Sequence, residues 1–309
     1  MESKNIILGG GISGLICLHY IKDSILFEAA MTLARDFLDT SFPKYIHKST
    51  LTAEFCDEIG IVPKFKKFKV GIFFEGKILD FFDKNIESEI RTDIYIRYCG
   101  KKYGKYVEDK MNGFLTHKYS EEYIENKVEI INRIHELYED RIFLDCRVNT
   151  INLKTKRIGL NGDLFPKTFN AYYENLVSTI PIDVFVSRSN LDDKIEKKTF
   201  EIASFICHNN SLKEYNFIYV VDKNYDFNRI AIDGDNIIFE RNERDKDLTD
   251  CPNFLNHMKI EHSALSFEKF SFSVCKTLNI ENVKFIGRFS TGNYTQKIDE
   301  VIADARQTG

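Results

Sequence analysis

The sequence predicts an α/β fold that opens on a Rossmann-like βαβ unit. Three observations carry this reading. An apolar run at 4–8 leads directly into Gly9-Gly10-Gly11-Ile12-Ser13-Gly14, then a helix-forming stretch, then a second apolar run, Ser24–Phe27, that closes on Glu28. Further buried-strand runs recur at 176–181, ended by Pro181, and at 283–286. The chain has 309 residues, about two domains at ~150 residues each.

Four of the 16 glycines fall within six positions, and each has a physical role in a G-x-G-x-x-G turn. Gly9 permits the tight turn off the strand. Gly11 lets a pyrophosphate approach the backbone, and Gly14 lets helix and strand pack closely. The helix start, at Ile12 and Ser13, offers free N–H groups and partial positive charge. Glu28, 19 residues after Gly9, is placed to accept hydrogen bonds from ribose hydroxyls and disfavours a 2′-phosphate. This motif predicts dinucleotide binding, but does not choose between FAD and NAD.

The remaining elements follow in order. Residues 49–60 read as a helix ended by Gly60, and 70–74 with 77–81 as a hairpin around Glu75-Gly76. Helical periodicity runs over 86–112 and 119–139. Strand patterns cover 141–146, 148–151, 217–232 and 236–241, and a closing helix covers 299–306.

Composition narrows the function. Apolar residues at 43% and charged residues at 29% describe a globular chain. A net charge of −4 argues against unassisted duplex binding. Lys64, Lys66, Lys67 and Lys69 form a local basic run, read as solvated surface. Seven scattered cysteines contain no C-x-x-C pair and so no zinc spacing. With no signal-peptide pattern, the expectation is free thiols in a reducing, cytoplasmic setting. No apolar run reaches the ~18 residues of a membrane span. No metal site, nucleophile elbow or P-loop is present.

Six stretches, in order, resemble the superfamily of flavin-dependent amine oxidases, protoporphyrinogen oxidases and UDP-galactopyranose mutases. They are the glycine loop with Phe27-Glu28-Ala29-Ala30; Phe42-Pro43-Lys44-Tyr45-Ile46-His47; Val70 to Ile78; Asn175 to Ile182; Tyr225 to Ile230; and Phe285-Ile286-Gly287-Arg288-Phe289-Ser290-Thr291-Gly292-Asn293-Tyr294, followed by Asp299 and Val301. The last stretch is similar to a second FAD-binding segment and tips the expected cofactor to FAD. The resemblance implies a glutathione-reductase-type FAD-binding domain from 1–60, 141–185 and 280–309. Interleaved with it is a smaller α+β substrate domain from 61–140 and 186–279.

The resemblance also implies site roles. Gly9, Gly11, Ile12, Ser13, Gly14, Glu28, Ala29, Arg35, Val148, Gly287, Arg288, Asp299 and Val301 would meet FAD. Val148 would do so through its backbone near adenine, Arg288 as a positive charge, and Asp299 at the start of the last helix. His47 is the candidate for proton transfer, and Arg229 and Tyr294 for an anionic or polar substrate group. Two departures stand out. The family places a Gly-Gly pair where this chain has Ala34 and Arg35, which implies a shifted loop or altered contacts, and the chain is short for the family.

The leading functional expectation is an FAD-dependent oxidoreductase acting on a small amine or related C–N or C–C bond. Alternatives are a mutase-like enzyme acting on a nucleotide sugar without net redox change, a flavoenzyme modifying a nucleic-acid base, and a non-catalytic flavin-binding protein.

Overall fold

The computed structural model describes residues 1–38, 44–83, 85–103, 121–163, 165–192, 195–208, 210–222, 224–242, 253–274, 278–291 and 296–309. The first sheet is the predicted Rossmann-like unit. Strand β1 (Glu2–Leu8) pairs in parallel with β2 (Ser24–Phe27) on one side and β11 (Phe165–Ser178) on the other. Strands β8 (Ile142–Phe143) and β17 (Val283–Phe285) extend the parallel set at its two ends. The register brings Leu8, Phe27, Phe143, Ser178 and Phe285 to one edge. Strands β9 (Arg147–Asn152) and β10 (Arg157–Gly162) add an antiparallel meander onto the first half of β11.

Two apolar layers cover this sheet, because alternate residues of each strand face opposite sides. Ile7 and Val177 point into the layer shared with helices α1 (Ile12–Tyr20), α3 (Thr50–Glu58), α5 (Lys127–Tyr138) and α8 (Ile298–Thr308). Ile6, Leu8 and Leu176 point to the other side, against Phe185 of α6 (Ile182–Ser189) and the meander. Burial on both faces gives the continuous apolar runs seen in the sequence.

A second sheet runs β16 (Glu261–Val274), β12 (Glu196–His208), β15 (Asn236–Asn242), β14 (Arg229–Asp233), β13 (Phe217–Val220), β5 (Val70–Phe74) and β6 (Lys77–Asp80). It is antiparallel except where β13 meets β5. Helix α4 (Ser88–Tyr103) lends Tyr95 and Tyr98 to one face, and the short α7 (Asn253–His257) lends Phe254 to the other. A third, three-stranded sheet is formed by β3 (Ile46–His47), β7 (Glu122–Ile124) and β4 (Phe65–Lys67). A four-residue α2 (Arg35–Leu38) follows the first βαβ unit.

The structure corrects several element expectations. The 217–232 strand is two strands that pair with each other. The 119–139 helix begins only at Lys127, and β7 precedes it. The 141–146 strand is confined to two residues. Strands β10, β12 and β16 and helix α6 were not expected. Part of the expected 86–112 helix, from 104 on, lies outside the described residues. The Glu75-Gly76 hairpin is present, with both residues at positive φ (50° and 78°), as a type I′ turn requires. No helix among the described residues is long and apolar enough to cross a membrane. Three lysines of the basic run are ion-paired: Lys64 meets Glu129 at 2.9 Å, Lys66 meets Glu125 at 3.2 Å and Lys69 meets Glu214 at 2.6 Å, while Lys67 is exposed.

Candidate functional site

The glycine loop turns from β1 into α1, and its glycines differ in what holds them. Gly9 has φ 101°, and a Cβ there would lie 2.7 Å from Thr179 Oγ1. A Cβ on Gly14 would lie 1.8 Å from the Gly9 carbonyl oxygen. These two are glycine because the fold leaves no room. Gly11 is different. Its backbone, φ −68° and ψ 174°, suits any residue, and a Cβ there would meet nothing within 4 Å. The space over Gly11 is open, and the fold does not require glycine beside it.

Helix α1 begins at that space. Its first internal bond runs from Leu15 N–H to the Gly11 carbonyl, 3.0 Å. The N–H groups of Ile12, Ser13 and Gly14 therefore precede the helical ladder. The Ile12 side chain belongs to the core. Thr179 supports the turn from below, donating to the carbonyls of Leu8 (2.8 Å) and Gly9 (3.1 Å). Sequence reading passed over Thr179, although its strand was singled out.

Glu28 ends β2 at the same edge. Its carboxylate accepts from the backbone N–H groups of Gly10 and of Ala30, the latter at 2.7 Å. Two donors orient the group and leave it acceptor capacity. The neighbouring Ala29 is exposed. The main chain at 143–146 runs alongside: Glu28 N–H donates to Phe143 O, and Cys146 N–H donates to Glu28 O at 2.7 Å. Val148 follows two residues later, its side chain buried in the meander core.

Ala34 occupies the position where the resemblance leads one to expect glycine. Its φ is 49°, the left-handed region that glycine favours. It is buried, and its N–H donates to the Gly10 carbonyl at 2.8 Å. Arg35 follows, exposed, at the start of α2.

The C-terminal segment docks on the same edge. Gly287 has φ 98°, and a Cβ there would lie 2.6 Å from Ser13 Oγ, so it packs directly on α1. Ile286 N–H and the Ser290 hydroxyl both donate to the Ser178 carbonyl. Arg288 reaches the Gln296 carbonyl at 3.5 Å, and Gln296 is anchored to Asp304 at 2.7 Å. Asp299 is the second residue of α8. Val301 is buried in the core, and its N–H is spent on the Lys297 carbonyl. The segment thus brings Gly287 against the first motif, while Val301 serves the interior. Tyr294 lies outside the described residues.

His47 and Arg229 lie at the two ends of a chain of aromatic rings. The His47 ring lies edge-on to Phe68 at 4.7 Å, and Phe68 lies 5.6 Å from Phe217. The Arg229 guanidinium stands over Phe217 at 5.0 Å. Tyr45 sits in the middle, 4.7–5.3 Å from the rings of Tyr123, Phe68 and Phe217. Burial, more than its neighbours, pushes the Tyr45 phenol up to about 12, so it stays protonated at neutral pH. Asn216 Nδ2 approaches the Tyr45 hydroxyl at 3.5 Å. Arg229 is ion-paired with Glu240 at 2.6 Å, and the Glu240 side chain is fully buried. The expectation of Arg229 as a substrate anion receptor therefore meets a guanidinium already balanced by a carboxylate. Sequence reading missed Tyr45, Tyr123, Asn216 and Glu240 as parts of this cluster. Only Tyr45 carried a signal, two residues before His47.

No protein-family model matches the sequence, and no curated protein does. Solved structures do share the fold. A fatty acid isomerase from P. acnes, described as CLA-producing, superposes with TM-score 0.67 at 12% identity, covering 99% of this chain and 97% of the other. A reduced UDP-galactopyranose mutase gives 0.66 at 12% identity, covering 98% and 92%. A putrescine oxidase variant gives 0.64 at 8% identity, covering 100% and 98%. The chain has the fold of the superfamily that its motifs resemble.

Proposed function

We propose that this chain, on the amine oxidase and mutase fold, is an FAD-dependent oxidoreductase acting on a small amine or a related C–N or C–C bond. Its first sheet serves as a glutathione-reductase-type FAD-binding domain made from 1–60, 141–185 and 280–309, and 61–140 with 186–279 form the substrate domain. The observation that carries the reading is the open space over Gly11, a glycine that neither backbone angle nor packing demands. A pyrophosphate fits there against the first N–H groups of α1.

Around that point the residues take complementary roles. Glu28, pre-oriented by the two backbone donors, accepts the ribose hydroxyls. Gly287, pressed on Ser13, holds the C-terminal segment at the cofactor, with Arg288 as its positive charge and Asp299 at the helix start. Arg35 projects beside the loop as a further cation, and the backbone at Val148 meets the adenine. Bound FAD supplies the electron and hydride chemistry. His47 moves a proton at its ring, and the aromatic wall of Tyr45, Phe68 and Phe217 excludes water from the substrate. Arg229, balanced by Glu240, orients polar substrate groups by hydrogen bonding. A mutase-like reaction on a nucleotide sugar is the second reading, supported by the sequence resemblance around His47 and 225–230.

Protein reconstituted with FAD and then freed of unbound flavin should retain flavin absorbance, and a protein that comes out colourless overturns both readings. Anaerobic mixing with candidate amines should bleach an oxidoreductase. A mutase-like enzyme would turn over only after prior reduction.

A further inference from the structure

We infer that the chain carries a second ligand site, for a small phosphorylated molecule, on the edge of the first sheet opposite the glycine loop. A cleft of about 400 Å³ lies between the turn joining β9 to β10 and the C-terminal end of α6. Its size falls within the ~300–1,000 Å³ range of small-molecule pockets. Strand register places it: Gly9 follows Leu8, which stands opposite Ser178, whereas Arg157 stands opposite Tyr172, which is level with Glu2. Six residues of strand at ~3.3 Å each separate the two edges by about 20 Å. The cleft is therefore separate from the cradle over Gly11.

The lining chemistry selects a ligand class. Lys154, Arg157 and Arg188 all face this one cleft and are exposed. Among the described residues no carboxylate lies within ion-pair distance of any of them, whereas Lys48, Lys64, Lys66 and Lys69 each meet a glutamate. Three cations lining one cleft without a protein counter-charge give it a positive potential that favours an anion. Arginine forks match phosphate oxygens in pairs.

Neutral groups fit the same reading. Asn152 commits its Oδ1 to the Thr155 N–H at 2.9 Å, which leaves its NH₂ end as the donor to the cleft. A helix C-terminus ordinarily repels anions. Here the Val186 carbonyl takes the Asn190 and Leu191 N–H groups, and the three positive charges of the cleft exceed the half-charge of the helix end. Half-buried Leu153 gives the floor an apolar patch, which suits a ligand with a flat organic part beside its phosphate.

Calorimetric titration with AMP and with inorganic pyrophosphate tests this in wild type, in Gly11→Val, where the cradle is blocked, and in the triple variant Gly11→Val/Arg157→Ala/Arg188→Ala. The two arginines are exposed, so their loss leaves the fold intact. Expected are saturable binding of AMP by Gly11→Val and weakening of at least about tenfold in the triple variant. AMP should bind more tightly than pyrophosphate if Leu153 receives its base. Gly11→Val that binds neither anion overturns the proposal, and binding by wild type alone would place the anion at the glycine loop. Binding that survives unchanged in the triple variant overturns it as well.

Discussion

At the scale of single residues, the loop sorts its glycines by cause. Gly9 and Gly14 answer to packing, whereas neither packing nor backbone angle demands glycine at Gly11. Ala34 is the instructive exception. The resemblance expects glycine there, and the backbone keeps a left-handed turn without one. An alanine in that region costs roughly 1–2 kcal/mol, offset in part by burial of its methyl group and the N–H bond to Gly10. A β-branched residue has no such margin. Ala34→Val should therefore destabilise the protein by about 2–3 kcal/mol, read from the urea midpoint, whereas a change under ~0.5 kcal/mol would show that the turn relaxes freely. The departure from glycine was legible in the sequence. The backbone that absorbs it was not, because φ at one alanine is set by Gly10, Leu33 and the core around them.

At the scale of elements, local order was legible and long-range order was not. The β1–α1–β2 unit reads directly because each piece neighbours the next. Strand β12 escaped because Glu201, Ile202, Ala203, Ser204 and Phe205 are all buried, which erases the period-2 signal. The aromatic cluster escaped because Tyr45, Phe68, Tyr123 and Phe217 are dispersed along the chain. Two ion-pair sets tie the elements together. Arg306 of α8 holds Glu54 and Glu58 of α3 at 2.8 and 2.7 Å, and Glu58 also meets His19 of α1, which bonds Tyr138 of α5. Burial opposes ionisation of Glu58, but hydrogen bonding to His19 and Arg306, with the Arg306 charge, holds its carboxyl below the usual range. A depressed pKa stabilises the fold fully at neutral pH, and the contribution fades as pH falls through the folded value. The stability gap between wild type and Glu58→Gln should thus close as pH drops below about 4, and a pH-independent gap in denaturant titrations would refute the electrostatic role. The Arg229–Glu240 pair lies deeper. Glu240→Gln removes the buried counter-charge and should cost about 2–4 kcal/mol, with part recovered by adding Arg229→Met. Additive losses in the double variant would contradict a direct pair.

At the scale of the whole molecule, the parallel edge of the first sheet gathers the glycine loop, Glu28, the Ala34 turn and the Gly287 segment, while the second sheet brings Arg229 toward the rings around Tyr45 and His47. The glycine-loop end of this arrangement was readable in advance because one contiguous motif builds it. The aromatic cluster around Tyr45 was not, because two sheets assemble it. The proposed function requires that the open space over Gly11 be a cofactor cradle. The most direct test is an equilibrium titration of apo-protein with FAD, followed by flavin fluorescence, in wild type and Gly11→Val. The valine should fold normally, since its Cβ meets nothing within 4 Å. FAD affinity should fall by at least ~100-fold, the loss of about 3 kcal/mol of phosphate contacts. A folded Gly11→Val protein that binds FAD as tightly as wild type would contradict the cradle and the function built on it.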